Sequence, residues 1–140
     1  MPHTIGWYIP DEIYYVHFSG TTTVEELEEF LEEATGYIEN SPREIVHSIL
    51  DVGDVVESAP VLDTLKVFRG FHPHRRAGWT LTIREKSTLI KMGSALGASL
   101  INTRFRAFAT LDEALRFLKS VDQTLSWDRV EEKFAKPTAG

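Results

Sequence analysis

Residues 50–60 read Leu50-Asp51-Val52-Gly53-Asp54-Val55-Val56-Glu57-Ser58-Ala59-Pro60, and this stretch decides the fold. The apolar run over residues 45–52 predicts a central strand that is covered on both faces. Ser58 and Pro60 predict the start of a helix, because serine caps helix N-termini and proline suits the first turn. Ligands bind at such strand-to-helix junctions in α/β proteins. The stretch therefore predicts an α/β protein with one candidate regulatory residue, Ser58.

The flanking sequence extends this pattern in both directions. Residues 5–9 and 13–18 are β-type runs separated by Pro10-Asp11-Glu12, which predicts a hairpin. Capping boxes at Thr22 or Thr23 and at Thr110 predict two helix starts. Further predicted elements are helices over residues 61–68, 87–101 and 126–134 and strands over residues 79–83 and 105–108. The order predicts a mixed sheet of four to five strands, packed with about four helices and a short C-terminal one.

Length and composition predict a single domain. The chain has 140 residues, enough for a full hydrophobic core, and we expect a domain over residues 1–125 with a C-terminal helical extension and frayed tail over 126–140. Cysteine is absent, which excludes a disulfide framework or a thiol nucleophile. No signal peptide or bilayer-spanning apolar run is visible, so a cytoplasmic location is expected.

The net charge of −6 hides an asymmetry between the two halves of the chain. Residues 1–60 contain 13 acids and one base, whereas residues 61–140 contain 8 acids and 14 bases. These are either two solvated faces of opposite sign or a face that binds an anion or a partner. The opposite charges also allow a homodimer. Nucleic-acid binding is not expected, because the total charge is acidic and no nucleic-acid motif is present.

The element order and residues 50–65 together resemble the STAS domain superfamily, which includes the anti-sigma-factor antagonists and the SpoIIAA-like proteins. The family pattern is an apolar strand ending in Asp, a short loop, and Asp-Ser-Ser-Gly opening a helix. Asp51 stands at the strand end, and Glu57-Ser58-Ala59-Pro60 stands in place of the motif. The resemblance implies a mixed α/β fold and implies that Ser58 accepts a phosphate that controls partner binding. Residues 110–118 resemble the last helix of SpoIIAA-like members.

Three groups of residues are candidates for a site. The first is Ser58, either a phosphate acceptor or a plain helix cap. The second is an interaction loop of Asp51, Gly53, Asp54 and Glu57, which loop solvation explains equally well. The third is a basic loop that either binds an anion such as a phosphate or is simply flexible; it comprises His72, His74, Arg75 and Arg76. No metal site is expected there, because the histidines have no acidic partner nearby in sequence.

These features favour a non-enzymatic STAS-like regulatory or interaction domain that needs no cofactor and binds a protein partner. The alternative is a carrier of a small apolar, lipid-like or anionic ligand. In the apolar case the cavity would be lined by aromatic side chains and one helix, through Trp7, Trp79, Met92, Gly93 and Gly97. A hydrolase or transferase using His17, His47 or Asp51 is a third hypothesis, although both histidines fit equally well as core or sheet residues. No catalytic motif is present.

Overall fold

The computed structural model describes residues 3–69, 74–85 and 104–131. In chain order they form β1 (His3–Ile9), β2 (Ile13–Thr22), α1 (Val24–Glu39), β3 (Val46–Ser58), α2 (Val61–Arg69), β4 (Ala77–Ile83), β5 (Phe105–Phe108), α3 (Leu111–Val121) and a 3-10 turn, Trp127–Arg129. The predicted mixed α/β architecture is confirmed. The described α-helices number three rather than about four, and the predicted helix over residues 87–101 lies outside the described residues.

The strands form one five-stranded sheet in the order β1-β2-β3-β4-β5. β1 runs antiparallel to β2, and β2 to β5 are mutually parallel. The hairpin turn places Asp11 in the left-handed region (φ 68°), and the Glu12 N–H donates to the Ile9 carbonyl. Because parallel strands need crossover connections, α1 joins β2 to β3 and α2 joins β3 to β4. The carboxyl end of β4 lies beside Asp51 in the middle of β3, and β2 and β3 continue past it as a pair.

The two faces of the sheet have separate hydrophobic clusters. Alternate residues of β2 point to opposite sides, so Tyr14 and Val16 pack with α1 residues such as Phe30 and Ala34. Ile13 and Tyr15 belong to the second cluster, on the face that α3 covers. The central strands are therefore buried on both faces, as the apolar run over residues 45–52 predicts.

Both predicted threonine caps form, at Thr23 and at Thr110. Thr23 caps α1 and accepts a hydrogen bond from the Glu26 N–H, and Thr110 caps α3 in the same way from the Glu113 N–H. Each cap satisfies a helix N–H that has no partner inside the helix. In the part of the chain that the structure describes, no helix combines the length and apolarity needed to cross a bilayer.

Candidate functional site

β3 is longer than the sequence predicts. Asp51 was predicted to end the strand and Asp51 to Ser58 to form an interaction loop, but the strand runs on to Ser58. The added segment pairs only with β2: Ser19 to Thr22 lie opposite Asp54 to Ser58, whereas pairing with β4 stops at Asp51 and Ile83. β-branched Val55 and Val56 suit a strand, and the longer β2 supplies their neighbour.

Ser58 is not the cap of α2. It is the last residue of β3 and is exposed, and the helix begins at Val61. The Pro60 carbonyl accepts the first helical hydrogen bond, from Thr64 N–H at 2.9 Å. Ser58 therefore lies two residues too early to bond the free amides of the first turn. Its role as a phosphate acceptor stays a prediction.

A buried carboxylate in the middle of β3 joins β2 to the residue that follows β4. Asp51 is fully buried, and its Oδ2 accepts hydrogen bonds from the Tyr15 hydroxyl at 3.0 Å and from Arg84 Nη1 at 3.2 Å. Its Oδ1 accepts from the Gly53 N–H at 3.0 Å. A buried charge is tolerated only when it is paired and hydrogen-bonded in this way. Asp51 thus links three neighbouring strands of the sheet.

The same arginine continues the network to the surface. Arg84 Nη2 donates to Asp54 Oδ1 at 3.0 Å, and His17 Nε2 lies 2.6 Å from Asp54 Oδ2. The hydrogen bond from His17, followed by the charge of Arg84, lowers the pKa of Asp54. We call the five residues Tyr15, His17, Asp51, Asp54 and Arg84 the edge network. Its carboxylates already have cationic partners. The network therefore stabilises the contact of β3 with β2 and with Arg84 after β4.

The backbone is shaped around Arg84. Arg84 follows β4 with φ of 61°, a left-handed conformation that is uncommon outside glycine. Its guanidinium then crosses Gly53, where an added Cβ would lie 2.5 Å from Arg84 Cζ. Gly53 therefore has a steric reason to be glycine. Sequence reasoning named Asp51, Gly53 and Asp54 but missed Arg84, although an arginine directly after a parallel strand is a usable signal.

His47 lies near the opposite end of β3, where the structure assigns it one tautomer. Its Nδ1 accepts the Trp79 N–H at 3.0 Å, so the proton sits on Nε2, which donates to Asp122 at 2.9 Å. Burial is the main cause that lowers the pKa of His47, outweighing the raising effect of Asp122. Because both ring nitrogens are engaged with the fold, His47 is a neutral structural residue.

His3, the first residue of β1, is buried against α1. Unlike the neutral His47, it carries a positive charge. Its Nδ1 lies 2.5 Å from Glu26 and its Nε2 lies 2.8 Å from Glu33. Two carboxylates accept only if both ring nitrogens carry protons, which makes the ring an imidazolium. Burial lowers the pKa of His3, but the hydrogen bonds to Glu26 and Glu33 outweigh it and the net shift is upward.

We expect the free energy of unfolding to decrease at both acidic and alkaline pH. The acidic decrease comes from His47 and the alkaline decrease from His3. The raised pKa of His3 gives stability that is present below its ordinary value of 6.5 and lost as the pH rises through the folded value. The lowered pKa of His47 means that the unfolded chain takes up that proton first, so stability falls as the pH drops below 6.5. Urea unfolding from roughly pH 5 to pH 9 measures both limbs.

The variant His3→Gln tests whether His3 causes the loss of stability at alkaline pH, because glutamine keeps a hydrogen-bond donor but cannot titrate. The loss of stability above about pH 6.5 should shrink in this variant, and the acid limb should remain. An alkaline loss of unchanged size would show that His3 is not its source.

The basic loop is only partly described, and His72 lies outside the described residues. The predicted anion ligand Arg76 has a different role. Its guanidinium donates to four carbonyls at and after the end of α1: Ser41 at 2.6 Å, Arg43 at 2.7 Å, Ile38 at 2.8 Å and Glu39 at 3.4 Å. Unpaired carbonyls at a helix end favour a cation. His74 accepts the Arg76 N–H, and Arg75 is exposed, so their anion binding stays a prediction.

The aromatic residues assigned to a ligand cavity pack against other rings. Trp7 lies 4.9 Å from Tyr37 and Trp79 lies 4.8 Å from Phe117, measured between ring centroids. Met92, Gly93 and Gly97 lie outside the described residues. The predicted C-terminal helix is a 3-10 turn whose Trp127 packs on the core of the same chain, while Phe134 lies beyond the described part.

Two large apolar side chains close to Ser58 in sequence are exposed. Val56 is 85% exposed and Leu62 is 73% exposed. Val56 is also a bulge, because Gly20 pairs with Val55 and Thr21 with Glu57, which leaves Val56 without a partner in β2. Bulges re-aim side chains and are frequent beside functional sites. We call Val56, Ser58 and Leu62 the β3–α2 patch.

Comparison with known proteins bears on the fold. No family model and no curated protein matches the sequence. The chain is similar to the crystal structure of an uncharacterized protein of the DUF3478 family from Shewanella loihica PV-4, described as having a SpoIIAA-like fold. The match has a TM-score of 0.58 and 15% identity, and it covers 83% of this chain and 93% of that one. The protein described here therefore has a SpoIIAA-like fold.

Proposed function

We propose that this protein is a non-enzymatic regulatory or protein-interaction domain whose working surface is the β3–α2 patch. The observation that carries the proposal is the exposure of Val56 and Leu62, 85% and 73%, on either side of Ser58. Single exposed apolar residues are ordinary, but two such residues beside a bulged strand end favour contact with a partner. Burying them in a partner removes apolar surface from water.

The edge network supports this proposal by fixing the part of β3 that precedes the patch. Asp51 and Arg84 fasten β3 immediately before the patch, and Asp54 joins the same network to His17 on β2. A surface held on fixed strands loses little conformational entropy on binding. The edge network thus has a structural role, and the β3–α2 patch has a role in recognition.

Ser58 gives the proposed surface a means of regulation. Ser58 is exposed, lies between Val56 and Leu62 in the sequence, and is preceded by Glu57. A phosphate there adds nearly two negative charges to an apolar contact and beside a like charge, which disfavours association. Phosphorylation of Ser58 would therefore release the partner. The alternative of a small apolar or anionic ligand stays a prediction.

The test is capture of the partner from the native host with tagged variants. Val56→Asp/Leu62→Asp should lower partner recovery at least about tenfold, because charges replace the apolar contact. Val121→Asp is the matched control, since Val121 is 42% exposed but lies on α3. Ser58→Asp should also lower recovery, and Ser58→Ala should not.

If Val56→Asp/Leu62→Asp recovers as much partner protein as the unaltered protein does, the proposal is wrong. Equal losses with that variant and with Val121→Asp would also sink it, because the effect would not belong to the patch. Circular dichroism of each variant confirms that it is folded.

A further inference from the structure

A second surface, distinct from the β3–α2 patch, lies between the first two helices. A groove of about 720 Å³ separates α1 from α2. We call it the α1–α2 groove, and the lining residues that matter below are Glu28, Leu31, Glu32, Gly36, Glu39 and Val67. Leu31 and Val67 give it apolar contact surface. None of these residues belongs to the edge network or to the β3–α2 patch.

The charges along the groove are strongly unbalanced. Among the described residues that line it, Glu28, Glu32 and Glu39 are accompanied by one cation, Lys66. α1 contains no lysine or arginine, and within the described residues none of these three glutamates forms a salt bridge. The line from Glu28 to Glu39 spans about 16 Å, or three helical turns. A partner carrying cations at that spacing would complement the groove.

Gly36 is an independent sign that something approaches α1 closely. Glycine inside a helix is less stable than alanine, so a helical glycine normally has a packing reason. A Cβ built on Gly36 meets no atom within 4 Å. Packing within the described chain therefore gives no reason for glycine here. A partner backbone lying against the floor of the groove would give one.

We propose that the α1–α2 groove binds an amphipathic helix of a partner protein that carries lysine or arginine along its polar side. Leu31 and Val67 receive the apolar side of that helix, Gly36 permits close approach, and the glutamates pair with its cations. The length of the acidic line suits about three turns of helix. The inference does not rest on the function proposed for the β3–α2 patch, and each can fail alone.

A synthetic peptide tests the groove directly. The probe is a helix of about 18 residues with leucine on one face and lysine on the other, and its binding is followed by fluorescence anisotropy at roughly 0.1 M salt. Glu28→Gln/Glu32→Gln should weaken binding at least about tenfold. Glu25→Gln/Glu29→Gln makes the same charge change on the same helix outside the groove and should weaken it less than about twofold.

Gly36→Ala separates recognition from stability. The change should raise the melting temperature, because the helix gains a better former and nothing clashes. Peptide affinity should nevertheless fall about fivefold or more, since the new methyl group blocks close approach. A structural role alone would not lower affinity in a more stable protein.

Several results would overturn the proposal. These are no binding of the peptide, equal losses for the two glutamine pairs, unchanged affinity in Gly36→Ala, or equal binding of a proline-interrupted peptide with the same composition. A dimer in light scattering that Glu28→Gln/Glu32→Gln dissociates would assign the groove to a second copy of this chain instead.

Discussion

Arg84→Met should lower the free energy of unfolding by about 3 kcal/mol, because it leaves the buried carboxylate of Asp51 without its cation. Methionine keeps much of the apolar length of the side chain, so the effect reports mainly on charge. Tyr15 and Gly53 still donate to Asp51, and they limit the loss without removing it. Urea unfolding at neutral pH measures the change.

The double variant Asp51→Asn/Arg84→Met identifies the cause. Asparagine carries no charge, can still accept from the Gly53 N–H, and needs no cation. The double variant should therefore be more stable than Arg84→Met alone, with a coupling of about 1 to 3 kcal/mol. If the stability loss in the double variant equals the sum of the losses in Asp51→Asn and Arg84→Met, the account of the edge network is contradicted.

Gly78→Ala should be similarly destabilising, by roughly 3 kcal/mol. A Cβ on Gly78 would lie 2.5 Å from His47 Nδ1 and 2.5 Å from Ile45 Cγ2. The imidazole cannot move aside freely, because Trp79 donates to it and it donates to Asp122. Displacing the ring breaks both hydrogen bonds in a buried place.

The same substitution at Gly36 is the control for Gly78→Ala. The Gly36 site is open and helical, so alanine should stabilise by about 0.5 to 1 kcal/mol. Thermal unfolding of the two variants should therefore move in opposite directions. A loss of under about 0.5 kcal/mol for Gly78→Ala would show that the space around His47 is not tightly filled.

Local sequence signals predicted most of the architecture. Pro10-Asp11-Glu12 marked the hairpin turn, and Thr23 and Thr110 marked helix starts, because turn and cap chemistry depends on residues within four positions. The end of β3 was wrong for a related reason. Thr22 was predicted as an alternative helix cap, yet it belongs to β2 and pairs with Ser58, and only a neighbouring strand could show that.

The contacts that build the site could not be predicted in this way. Arg84 reaches Asp51 across 33 residues of sequence, and His3 reaches Glu26 and Glu33 across 23 and 30. No periodicity relates such pairs, since they meet only after the sheet and its crossovers have formed. Arg76 also makes contacts of this kind, because it donates to carbonyls at and after the end of α1, more than 30 residues earlier in the sequence.

The structure divides the strand-to-helix junction into two parts. Asp51 to Asp54 are fastened by Arg84, Tyr15 and His17, so they stabilise the edge of the sheet. Val56, Ser58 and Leu62 lie after Asp54 in the sequence and are exposed. Val56 and Ser58 belong to the bulged end of β3, and Leu62 belongs to the start of α2. We propose that a partner protein is recognised at this outer part.

Hydrogen exchange of the protein alone and bound to its captured partner tests that claim most directly. The account predicts slower exchange on binding over residues 54–62, with residues 111–121 of α3 unchanged. Slower exchange over 111–121 with no change over 54–62 would contradict it.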